Sequence, residues 1–172
     1  MKHLRLIVAL LAVVPVLVAA GVAAAGRGGA EEAAPATARF HDLDKAVQAG
    51  YSVKVTDING ITCITQPGEG AMGVHMANPG LLFDGTIDAT QPEALVYEPR
   101  NDGTLKLVAL EYIVLQSAWE GSEEPSLFGR EFDFTDAPNR YDLPPFYSLH
   151  AWIWKPNPSG LLTPWNPDVD CG

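Results

Sequence analysis

Cysteine is scarce in this sequence. Cys63 and Cys171 are the only two, and neither a CxxC nor an HxxxH spacing occurs, which argues against a short-spaced zinc motif. Clusters of lysine and arginine are missing after the first few residues. The formal net charge is -10, and -12 once the two positive charges of Lys2 and Arg5 are set aside. No nucleic acid and no anionic membrane surface is expected as a partner. GxSxG is absent, so no nucleophile elbow is indicated. Residues 84–88 lack the ligand pattern of a calcium loop. There is no internal repeat. Strands and helices do not alternate, which argues against a parallel sheet. A GxGxxG does occur at residues 68–73, but a dinucleotide site needs a helix after the glycines. An alternating strand follows instead, so these glycines read as a tight turn.

What is present begins with an address. Residues 1–5 carry Lys2 and Arg5, residues 6–20 are almost unbroken apolar sequence, and Ala23, Ala24 and Ala25 precede Gly26. A basic start, an apolar middle and a small-residue exit predict a signal peptide over residues 1–25. The alternative is an uncleaved anchor, but the run is short for spanning and is interrupted by Pro15 and Gly21. No stable membrane insertion is expected after signal removal. Residues 26–37, rich in Ala, Gly and Glu, are expected to be a flexible tether. Residues 38–172 are expected to form a single β-rich domain, secreted or in the cell envelope. In that oxidising setting Cys63 and Cys171 are expected to bridge; two unrelated thiols are the alternative.

The domain is organised around residues 105–116, LKLVALEYIVLQ. This run is apolar on both faces of a strand, which predicts burial on both faces. It pairs with residues 93–98 through a turn at residues 100–103. Residues 39–50 predict one helix, with Phe40, Leu43, Ala46 and Val47 on its apolar side and Gly50 as its stop. Shorter strands are expected near residues 51–55, 60–66 and 71–77, and a last strong one over residues 146–155. Leu127-Phe128-Gly129 is expected to plug a gap in the core. The fold class is mainly β (α+β): a curved or barrel-like antiparallel sheet with one packing helix.

Glu111 stands in the middle of the central run. A carboxylate there must be paired, hydrogen-bonded, metal-bound or neutral. A regular register for the hairpin puts Glu93 opposite Glu111, and two opposed carboxylates call for a cation or a shared proton. His75 shares its strand face with Ala71, Gly73 and Ala77, so its neighbours leave space. His150 is expected on one face with Trp152 and Trp154. Two imidazoles and one or two carboxylates suit a divalent metal such as zinc, manganese or iron. The plainer alternative is that each histidine is a hydrogen-bonded core residue and Glu93 is simply exposed.

The blocks MGVHMANPGLL, PEALVYEP, LVALEY, LFGREF, LHAWIWKPNPSG and WNPDVDC together resemble a family of small secreted bacterial proteins of unassigned function. The resemblance runs from the helix at residues 39–50 to Cys171. It implies that His75, Asn78, Glu93, Glu111, His150 and Asn157 are the distinctive polar positions. Met76 departs from the pattern, which has an aromatic there.

Three functions are consistent with these residues. The first is an exported small domain that binds a divalent metal or small molecule through His75, Glu111, His150 and Glu93, with Asn78 orienting a water or ligand. The second is a metal-dependent hydrolase or oxidase-type enzyme built on the same residues. The third is a non-catalytic envelope interaction protein, in which Trp119, Trp152, Trp154 and Trp165 pack a core or meet a partner.

Overall fold

The computed structural model describes residues 22–172. The apolar run at residues 6–20, on which the expected signal peptide rests, lies outside them. The chain opens with α1 (Val22–Thr37), a 3-10 turn (Ala38–His41) and α2 (Leu43–Gln48). Two expectations are corrected here. Residues 26–37 are helical and not a free tether: alanine favours helix, and Ala33 and Thr37 are fully buried. The helix expected over residues 39–50 is split at Asp42. Asp42 is extended, and its side chain accepts from the N–H groups of Asp44 and Lys45. It therefore caps α2 and ends the 3-10 turn. Phe40 and Ala46 are buried as the spacing requires, whereas Val47 stays exposed.

The strands are β1 (Val53–Lys54), β2 (Cys63–Gln66), β3 (Gly70–Ala77), β4 (Ala94–Pro99), β5 (Leu105–Leu115), β6 (Ser126–Leu127), β7 (Arg130–Glu131), β8 (Asp133–Thr135) and β9 (Phe146–Ala151). A short α3 (Pro79–Leu82) follows β3. Seven strands form one antiparallel sheet in the order β1-β3-β4-β5-β9-β8, with β2 also paired to β3; β6 and β7 make a separate hairpin. The mainly β fold is as expected. The sheet stays open, so the barrel-like variant does not hold. Among the described residues no helix is long and apolar enough to cross a membrane.

β5 lies at the middle of the sheet, and residues 107–115 are all buried. One face packs Leu95, Leu107, Leu110, Tyr112 and Leu149 against Phe40, Ala46 and Tyr51 from the N-terminal segment. Fully burying each such side chain contributes about 1.5–3 kcal/mol. Tyrosine hydroxyls then tie the layers: Tyr97 donates to the Phe40 carbonyl, Tyr51 to Pro92 and Tyr112 to Ala89. Phe128 plugs this core as expected, its ring edge-on to Tyr112.

Two bulges break the regular alternation. Val96 pairs with Ala109 but Tyr97 pairs with Leu107, which leaves Val108 as an extra residue in β5. Ile64 pairs with Gly73 but Thr65 pairs with Ala71, which leaves Met72 extra in β3. A bulge of this kind shifts every later side chain by one position. Gly73 takes the cost of the second one: its φ is +96°, and a Cβ there would meet the Tyr97 carbonyl oxygen at 2.9 Å. β9 is also shorter than expected, because the chain turns away after Ala151. The Trp152 N–H bonds to Leu161 and the Trp154 N–H to Val108. Trp152 stacks beside His150, while Trp154 packs against His41 and the opposite core. The expectation of both tryptophans on the His150 face is corrected accordingly.

Candidate metal centre

His75 on β3, Glu111 on β5 and His150 on β9 come together on the sheet face opposite the main core. Glu111 and His150 are direct cross-strand partners. His75 is two strands from β5, about 10 Å by strand spacing, and reaches across β4. It can do so because the β4 residue beside Glu111 is Ala94, which presents only a methyl group. The Nε2 atoms of His75 and His150 are 3.0 Å apart. His75 Nε2 is also 3.0 Å from Glu111 Oε2, and His150 Nδ1 is 3.4 Å from Glu111 Oε1. All three residues are buried, and together they can hold a metal ion.

The electrostatics follow from burial and proximity. Burial works to raise the Glu111 pKa, but the attraction of the His150 and His75 rings and the hydrogen bond to His75 outweigh it, and the carboxyl is held well below its usual range. Burial pushes His150 down to about 4, against the opposing pull of Glu111. His75 also touches the anion directly, at 3.0 Å. That contact is over-subscribed. Nε2 of His75 carries at most one proton and faces both His150 Nε2 and Glu111 Oε2, so one short contact is left weak or repulsive. A divalent cation resolves this by accepting lone pairs from both rings and the carboxylate. Tetrahedral ligands about 2.0–2.2 Å from zinc lie roughly 3.3–3.6 Å apart, close to the spacing seen here.

Glu111 also faces a cavity of about 530 Å³, whose wall includes Met72, Arg130, Arg140, Tyr141, Ser148 and Trp165. A smaller space of about 50 Å³ on the His75 side is lined by Glu111, Tyr141 and Leu143. Tyr141 lines both and lies 3.8 Å from Met72 Sδ through its hydroxyl. Burial raises the Tyr141 pKa, so its hydroxyl stays protonated.

Not every expected site residue is here. Glu93 does not oppose Glu111, because the Val108 bulge brings Ala94 to that position. Glu93 is nevertheless buried, and its carboxyl accepts from the Ile113 N–H at 2.8 Å. Burial raises its pKa to about 8, so it is largely a neutral acid within the fold. Asn78 is a structural cap: its side chain accepts from the Gly80 N–H and donates to the Ala49 carbonyl. Asn157 staples the tail, donating to Thr163 and to the Trp165 carbonyl. Cys63 and Cys171 are bridged across a separation of 108 residues.

Of the cavity-lining residues, only Glu111 and Trp165 were singled out by sequence. Among the others Ser148 left a signal, since it stands two residues before His150 on one strand face. Met72 is the extra residue of a bulge that the sequence does not mark. Arg130 comes from the two-residue strand β7, and Arg140 and Tyr141 from irregular chain, none with a periodicity to read. No protein-family model, no curated protein and no solved structure matches this chain.

Proposed function

We propose that this chain is an exported metal-binding domain in which His75, His150 and Glu111 hold one divalent ion. The observation that carries this is that His75 Nε2 meets both His150 Nε2 and Glu111 Oε2 at 3.0 Å, buried, with too few protons to satisfy every contact. Two histidines and one carboxylate are a donor set for zinc, manganese or iron. Export is supported by the N-terminal sequence and by a disulfide, which persists in oxidising compartments. The proposal extends to the small secreted bacterial proteins that the sequence blocks resemble, because all three residues stand in those blocks.

A second reading, a metal-dependent hydrolase or oxidase-type enzyme, is favoured by one observation. Glu111 borders a cavity of about 530 Å³, so an ion held there has a side from which a substrate can approach. Metal analysis of untagged protein purified from cells tests the shared premise. One equivalent of a divalent metal is expected; folded protein that carries none and takes up none contradicts it.

A further inference from the structure

We propose that the cavity beside Glu111 binds a small organic acid, its carboxylate on Arg140 and its apolar body against Tyr141, Phe146 and Trp165. At about 530 Å³ the cavity is within the range that small-molecule ligands occupy. Its lining holds both charged and aromatic side chains, which suits an amphiphilic ligand. Of its two arginines, Arg130 is the more engaged: its Nη2 donates to both carboxylate oxygens of Asp133 and its Nη1 to the Leu162 carbonyl.

Arg140 differs. It gives Nη2 to Asp57 at 3.0 Å, and Asp57 also accepts from the Asn59 and Ile61 N–H groups. Asp57 thereby fixes the guanidinium. Nε and Nη1 have no hydrogen-bond partner among the described residues, and the side chain is 40% exposed. The loop that presents Arg140 and Tyr141 is itself built. Asn139 makes four bonds within it, to Asp136, Tyr141 and twice to Leu143, and the Arg140 carbonyl accepts from Ile58. A guanidinium anchored by one contact through Nη2, with N–H donors to spare, can take a carboxylate. A divalent ion on Glu111 would add positive charge at the inner end. That added attraction rests on the metal reading; the Arg140 contact does not.

Calorimetric titration of the disulfide-intact, zinc-loaded protein with benzoate and with its neutral isostere benzamide tests the proposal. Benzoate is expected to saturate one site, and benzamide to bind about tenfold more weakly or worse, the loss expected for one charge-assisted hydrogen bond. Arg140→Gln should bring benzoate down to the level of benzamide. Arg140→Lys, which keeps a positive charge for Asp57 and so protects the fold, should also weaken benzoate because the planar fork is lost. Equal binding of acid and amide, no saturable benzoate binding, or binding indifferent to both variants would overturn the proposal. The metal-stripped protein separates the two readings. Benzoate binding that persists there and still depends on Arg140 supports the acid site even if no metal is native. Zinc uptake without discrimination between acid and amide removes the acid site and leaves the metal reading standing.

Discussion

His75 and Glu111 meet at 3.0 Å although a whole strand, β4, lies between theirs. The crossing depends on Ala94 beside Glu111, a fully buried residue too small to block the imidazole. Ala94→Leu is expected to fill that space and push the two apart. Overpacking of this kind costs about 1–3 kcal/mol. Urea unfolding should show that loss, and zinc uptake should fall with it. Unchanged zinc uptake in a folded Ala94→Leu protein would mean that the crossing does not matter.

Glu93 makes stability depend on pH. Its pKa is 4.5 when unfolded and about 8 in the fold. A raised folded pKa gives stability that is full below 4.5 and is lost as the pH climbs to 8. His150 acts in the opposite sense, because its pKa falls from 6.5 to about 4; its contribution is full above 6.5 and is lost on acidification. The two oppose each other in acid, so Glu93 is read cleanly between pH 6.5 and 8. At about 1.4 kcal/mol per unit, wild type should lose about 2 kcal/mol across that window. Glu93→Gln keeps an acceptor for the Ile113 N–H and should remove most of the slope. Parallel urea curves at the two pH values, for wild type and variant, decide it.

The disulfide holds the tail that carries Trp165 to the cavity wall. Closing a loop of about a hundred residues is worth about 4–5 kcal/mol in chain entropy. Cys63→Ser with Cys171→Ser should therefore lower stability by up to that amount in thermal or denaturant unfolding. Mass measurement before and after reduction and alkylation should find no free thiol in wild type.

The core strand was legible because nine consecutive buried residues leave a continuous apolar run, and Glu111 was legible as the one acid within it. His75 and His150 could be chosen because strand alternation placed them on faces that small residues or a partner strand leave accessible. The same alternation misplaced Glu93. Val108 and Met72 are the extra residues of two bulges, and nothing in their side chains distinguishes them from ordinary strand residues. Gly73 was visible in the sequence, but its positive φ was not. The split of the helix at residues 39–50 had a readable sign, since Asp42 is a good N-cap residue, but the apolar spacing of Phe40, Leu43 and Val47 outweighed it. Arg140 and Tyr141 reach the cavity through a loop whose shape is set by Asn139 hydrogen bonds, and such a loop has no period to detect.

Glu111→Gln separates a metal centre from a buried structural acid, because it preserves shape and hydrogen-bonding capacity while removing the charge. Wild type and variant, both stripped with chelator and checked for an intact fold, would be dialysed against zinc and measured by elemental analysis. The expected result is one zinc per wild-type chain and a large loss of zinc in Glu111→Gln with the fold retained. Equal zinc content in the two proteins, or none in either, would contradict a centre made of His75, Glu111 and His150.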